Sequence, residues 1–342
     1  MEQDNPRLPA RLDRAALMPR VGCMEQLASI RRLAIEDGKG RGMRVWEVSN
    51  GSGLAFTVYP DRGLDIGRAS IHGVPVAWYS VNGEVAPAFY EPEGAGWLRS
   101  WAGGLLTSCG LANVGTPCVV DGEPLGLHGR LSHTPAAQVN STAAWTAEGR
   151  YELEISGVVA ETRVFGTKFQ LRRRITTALG DNRITVRDTV GNTGFAPAPC
   201  LLLYHINLGW PLVDEGARLE APPHRVLPRN ERAAEGLEHW MRFDPPTPGF
   251  TEQCFYHEIP ADADGLATMR LRNGARAVSV SYRVAELPWL IQWRMLGQGE
   301  YVTGLEPANV FPEGQASLAE RGMVRHLAPG ETLETLVQIT FE

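Results

Sequence analysis

The strongest constraint on this chain is a period of two that sets in at Met43 and recurs to the C-terminus. Met43–Ser49, Leu54–Tyr59, Tyr151–Ser156, Lys168–Thr177, Arg183–Val190, Arg276–Val284 and Thr332–Phe341 are short alternating or β-branched runs. Successive side chains of a strand point to opposite faces, so such runs bury one face and leave the other wet. Asn50-Gly51, Gly180-Asp181-Asn182 and Asn273-Gly274 are turn signals between runs, of the kind that closes hairpins. Strand follows strand with no helical pattern between, which predicts an all-β fold: antiparallel sheets packed as a large sandwich or closed as a barrel. The 37 glycines and 24 prolines supply the many tight turns such a fold needs.

Residues 1–42 read differently. Cys23 to Ile35 places Leu27, Ile30, Leu33 and Ala34 at helical spacing before Gly38, Gly40 and Gly42, which predicts one short helix after an irregular arm. The expected division is an N-terminal arm over 1–42 and a single β domain over 43–342. The Pro-rich stretches at Ala221-Pro222-Pro223 and Asp244-Pro245-Pro246-Thr247-Pro248 read as rigid loops within that domain.

Composition removes several classes. With 342 residues and a net charge of −6, the chain lacks the basic footprint of nucleic-acid binding. No apolar run approaches the roughly 18 residues of a membrane span, and no basic segment followed by an apolar one opens the sequence. A cytoplasmic protein with no membrane partner is the expectation. Five scattered cysteines, an odd number with no CxxC pair, argue against a disulfide framework and read as small buried hydrophobes. Asn50-Gly51-Ser52 and Asn140-Ser141-Thr142 match glycosylation triplets by chance.

Several chemical signals fail. Gly38-Lys39-Gly40-Arg41-Gly42 superficially resembles a phosphate loop, but no strand precedes it and no helix follows, so it reads as a flexible helix-to-strand connection. His128 and His133 do not match zinc-ligand spacing, and there is no GxSxG nucleophile elbow.

Three segments carry more. Trp101 to Asn113 and Leu125-Gly126-Leu127-His128-Gly129-Arg130 are dense in glycine, which lets backbone approach a ligand or another backbone closely. His128 there is either a ligand-facing group or a hydrogen-bonded core histidine. In Leu201–Gly209, His205 and Asn207 share one side of an apolar strand, where polar groups are costly unless hydrogen-bonded or facing a cavity. Glu306 ends an apolar strand and is stopped by Pro307, which can set a carboxylate at a sheet rim as a general base. An ordinary strand-terminal glutamate would look much the same.

Taken in this order, the segments resemble the aldose 1-epimerase (galactose mutarotase-like) superfamily. The likeness is closest to its divergent bacterial branch, known only as a domain of unknown function or as epimerase-like. Leu127-His128-Gly129 matches the family's first histidine motif, and Tyr204-His205-Ile206-Asn207-Leu208 matches the second more loosely. Leu305-Glu306-Pro307, with Phe311-Pro312 downstream, matches the segment of its base. Pro60-Asp61-Arg62-Gly63-Leu64-Asp65-Ile66 looks like the strand end near the N-terminus of the divergent branch.

The resemblance implies a β-supersandwich with a sugar cleft and no metal or organic cofactor. In the mechanism it implies, Glu306 takes the proton of the C1 hydroxyl, His205 protonates the ring oxygen, and His128 hydrogen-bonds the ring oxygen or a neighbouring hydroxyl. Arg62 or Arg130 would hold sugar oxygens, and Trp101, Trp210 and Trp293 are candidates to stack on the sugar. The family carries an aromatic where Asn207 stands, and Asp244 is a weak candidate for its sugar-binding aspartate. The implied partner is a monosaccharide or sugar derivative, and pairing of sheet edges leaves a homodimer open. A non-catalytic sugar-binding protein is the alternative. A carbohydrate lyase or glycosidase fits less well, since a glycosidase wants two carboxylates and only Glu306 presents itself.

Overall fold

The computed structural model describes residues 14–342. Two large β-sheets, of eleven and eight strands, account for nearly all the named strands. Every pairing between named strands among the described residues is antiparallel. All seven alternating runs are strands; Leu54–Tyr59 and Thr332–Phe341 coincide with the expected bounds, and the Tyr151 run continues to Thr162. The three turn signals close hairpins between adjacent strands, as in the pairing of Lys168–Ala178 with Arg183–Asn192.

The N-terminal segment departs from the expected helix. Met24–Gln26 is a single 3-10 turn, and Ser29–Ala34 is a strand pairing with Arg44–Ser49 at one end of the larger sheet. The helical spacing of the apolar residues is coincidental, because Leu33 is 41% exposed. Sheet pairing supplies the backbone partners instead, with Arg32 lying over the ring of Trp46, so tertiary context overrides the local pattern. The glycine-rich segment around Gly40 therefore joins strand to strand, and the α-helix before it is one turn, Arg14–Leu17. The larger sheet thus begins inside the segment assigned to the arm. Residues 1–13 of that arm lie outside the described residues.

The strand Leu201–Gly209 shows how the site is positioned. All nine of its residues are buried, which a strand achieves only when both faces are covered. Leu202, Tyr204, Ile206 and Leu208 face the core between the sheets, whereas Leu201 and Leu203 pack in a second cluster with Trp97, Trp101, Ile291 and Phe311. The second sheet covers one face and long loops cover the other. A cleft remains among those loops.

Between the sheets lies a buried ionic network. The Arg173 guanidinium, with no exposed side-chain surface, donates from Nε and Nη2 to Asp188 and from Nη1 to Gly63 O, Asp65 Oδ1 and Ser108 Oγ. Tyr204 donates to Asp188 Oδ2 at 2.6 Å and meets Thr335 Oγ1 at 2.5 Å. Removing one member of such a group strands the others without partners, at a cost of about 3–5 kcal/mol. Urea unfolding of Arg173→Met is expected to show a loss of that size, against less than about 1 kcal/mol for Arg150→Ala at the exposed pair with Asp181. An Arg173 variant as stable as the parent would show that the network does not hold the sheets.

Candidate active site

Strand register brings the chemistry together. Leu201–Gly209 pairs with Glu300–Ala308 such that Ile206 faces Leu305 and Asn207 faces Gly304, which sets His205 and Glu306 side by side on the outer face. Their side chains meet with His205 Nε2 3.3 Å from Glu306 Oε1, and both residues are buried. Among the described residues, His205 Nδ1 and Glu306 Oε1 have no hydrogen-bond partner. Buried polar atoms are nearly always satisfied, so orphans of this kind mark a place where a ligand bonds. Gly304 makes room for the carboxylate, since a Cβ there would stand 2.2 Å from Glu306 Oε1.

His128 enters from the glycine-rich loop with a left-handed backbone, φ 58°. Its amide donates to Gly115 O and its Nδ1 accepts from Gly115 N at 3.3 Å. An accepting Nδ1 leaves the proton of the neutral ring on Nε2. The ring lies 5.6 Å from that of His205 and 4.8 Å from Trp97. Trp101 and Trp293 flank His205 at 5.0 and 5.4 Å between ring centroids. Arg229, Glu252, Cys254 and Thr116 complete the lining of a cleft of about 240 Å³.

The model of one family matches residues 40–341: Domain of unknown function, DUF4432. The chain belongs to the DUF4432 family. A candidate aldose 1-epimerase from Klebsiella pneumoniae is similar in structure, with a TM-score of 0.87, 28% identity, and 93% of this chain and 86% of that one covered. A galactose mutarotase-like protein from Clostridium acetobutylicum shares the fold at a TM-score of 0.64 and 13% identity over 93% of this chain and 99% of its own. A galactose 1-epimerase from Lactobacillus acidophilus does so at 0.61 and 12%, over 92% and 99%. No curated protein sequence matches the chain. The galactose mutarotase-like fold read from the motifs is therefore the fold of this DUF4432 protein.

Of the residues singled out from the sequence, His128, His205, Glu306, Trp101 and Trp293 line the cleft. Five others belong elsewhere. Arg62 is buried behind the wall, donating to Val85 O, Ser100 O and His133 Nε2. Since His133 Nε2 accepts, its Nδ1 carries the proton toward Ser132 Oγ, which also receives the Trp97 indole N–H; Arg62 braces Trp97 and does not reach a ligand. Arg130 lines a separate cavity of about 660 Å³ with Glu161. The Asn207 amide closes onto Gly104 O and His205 O. Asp244 has an exposed side chain and accepts from Arg294. Trp210, the third stacking candidate, is 65% exposed and outside the cleft.

Sequence reasoning missed Arg229, Glu252, Thr116 and Trp97. Arg229 follows the strand Arg225–Pro228 and Glu252 precedes Gln253–Glu258, where no local pattern marks them; Glu306 itself does not end its strand, which runs through Pro307 to Ala308. Glu161 was missed too: its carboxylate accepts from the amides of Leu111 and Ala112 at 2.9 and 3.0 Å. It thereby anchors the turn against which the His128–Arg130 backbone is hydrogen-bonded through Gly110.

Burial pushes the Glu306 carboxyl well above the usual carboxylate range; Glu252 adds to the rise and Arg229 opposes it. Burial likewise pushes His205 down to about 4 and His128 well below the usual imidazole range. Desolvation favours each neutral form, so the acidic proton of the pair sits on Glu306. The sign of the linkage follows. An unfolded carboxyl ionises near pH 4.3 while folded Glu306 does not, so stability is lost as pH rises from there toward the folded pKa. Thermal melts should find Glu306→Gln close to the parent at pH 4.5 and more stable than it at pH 8. A gain that is the same at both values would show that Glu306 is not protonated in the fold.

Proposed function

We propose that this protein interconverts the anomers of a monosaccharide by acid–base ring opening. The observation that carries the reading is the buried His205–Glu306 contact, with an orphaned atom on each partner, in a tryptophan-lined cleft on a galactose mutarotase-like fold. Aromatic walls suit the apolar faces of a pyranose. No described helix is long and apolar enough to cross a membrane, and a small sugar is the natural ligand of a cleft this size.

Catalysis needs a base at the C1 hydroxyl and an acid at the ring oxygen. Moving the acidic proton from Glu306 to His205, whose Nε2 stands 3.3 Å from Glu306 Oε1, makes both. Glu306 then takes the C1 hydroxyl proton as the C1–oxygen double bond forms, the bond from C1 to the ring oxygen breaks, and His205 protonates that oxygen. Rotation about C1–C2 and closure with the proton transfers reversed give the other anomer. Two-way transfer works best with pKa values near the working pH, so the polar sugar must offset the desolvation that holds both groups neutral. His128 donates from Nε2 to a sugar oxygen beside them.

Exchange NMR on a panel of reducing sugars should show anomer exchange above the buffer rate for at least one of them. Glu306→Gln and His205→Asn should each lower that rate by about 10²–10⁴-fold. A sugar bound without exchange would make this a binding protein instead, and a Glu306→Gln variant as fast as an active parent would show that Glu306 is not the base.

A further inference from the structure

The cleft is uneven in hydrogen-bonding character. One corner is rich in donors. Arg229 Nη2 donates to Thr116 Oγ1 at 3.3 Å and Nη1 to Cys254 Sγ at 3.8 Å, both weak acceptors for a guanidinium. The Thr116 hydroxyl, accepting from the cation on one lone pair, can turn its proton toward a ligand. His128, whose charge Arg229 helps suppress, adds its Nε2–H.

The nearest carboxylate oxygen to Arg229 is Glu252 Oε1, at 3.8 Å from Nη1, beyond hydrogen-bond reach. Glu252 is drawn aside instead, its Oε2 accepting the Trp293 indole N–H at 2.8 Å. Among the described residues Arg229 therefore stands at the cleft without a hydrogen-bonded counter-ion. Most other described guanidiniums with a carboxylate nearby meet it at closer range, as Arg173 and Arg294 do.

We propose that the substrate is an anionic monosaccharide, a sugar acid whose carboxylate seats on Arg229 and Thr116. This rests on the sugar-isomerase reading of the same cleft and narrows it. A neutral hydroxyl both gives and takes a proton and is served equally well by Glu252. A corner of donors carrying a full positive charge selects an oxygen that can only accept, and the planar fork of arginine matches a carboxylate with two parallel bonds. A carboxylate is favoured over a phosphate because Arg229 is the one arginine of the lining and the Glu252 carboxylate stands 3.8 Å from it, so a second negative charge on the ligand would go unmatched. Glu252 Oε1 remains free to take a ring hydroxyl, and the sugar ring lies against the wall that Trp101 and Trp293 form together, their centroids 5.7 Å apart, with C1 at Glu306.

Dissociation constants for D-galacturonate and D-glucuronate, D-galactose and D-glucose, and the matching hexose 6-phosphates can be read from tryptophan fluorescence. A uronate should bind at least about tenfold more tightly than its neutral hexose, the scale of one charge-assisted hydrogen-bond pair. Arg229→Gln should bring that ratio close to one, and Arg229→Lys should restore part of it. A neutral hexose that binds as tightly as its uronate overturns the proposal. So does a preference that survives in Arg229→Gln, or a phosphate that outcompetes the uronate. Uronate preference without anomer exchange of any sugar would instead sink the isomerase reading and leave the anion site standing.

Discussion

The structure depends on a single guanidinium with no exposed surface. Arg173 belongs to the smaller sheet, yet it reaches Asp65 and Ser108 of the larger one as well as Asp188 of its own. A charge this deep is tolerable only when every donor is used, and that condition fixes the distance and register between the sheets. Tyr204 joins the same network through Asp188, and the next residue along its strand, His205, points to the opposite face. The core therefore sets the position of the histidine from behind. Glu306 inherits its place through the pairing of its strand with that of His205.

Burial on both faces of the sheet explains the chemistry as well. Loops holding Trp97, Trp101 and Phe311 close over the outer face, so His205 and Glu306 lose water while keeping each other. Desolvation drives both toward neutrality, and the result is a pair with one acidic proton and two places to put it. A fully exposed pair would be screened and ionised. A pair with every atom satisfied would have nothing left for a substrate.

Much of this was legible in the sequence, for a stated reason. Alternation and turn residues are local signals, and the strands they mark are all present, down to the bounds of Leu54–Tyr59 and Thr332–Phe341. His128, His205 and Glu306 were visible because each is a polar group in an apolar or glycine-rich setting. What escaped was set by contacts distant in sequence. Ser29–Ala34 carries a helical spacing that pairing with Arg44–Ser49 overrides. Arg62 sits in a motif-like strand end but spends its donors on Val85, Ser100 and His133. Arg229 and Glu252 come from loops more than fifty residues before Glu306, and nothing local signals that the sheet brings them to its carboxylate. The glycine excess also acquires a specific role at Gly304, whose missing side chain makes space for the base.

The central claim is that Glu306 and His205 exchange protons with opposite ends of a sugar's C1–ring-oxygen bond. A crystal structure of Glu306→Gln with a bound reducing sugar tests it most directly. The account predicts the C1 hydroxyl within hydrogen-bond distance of the residue 306 amide, the ring oxygen facing His205, and the ring against the wall formed by Trp101 and Trp293. A sugar bound with C1 turned away from both residues, or seated in the cavity beside Arg130, would contradict it.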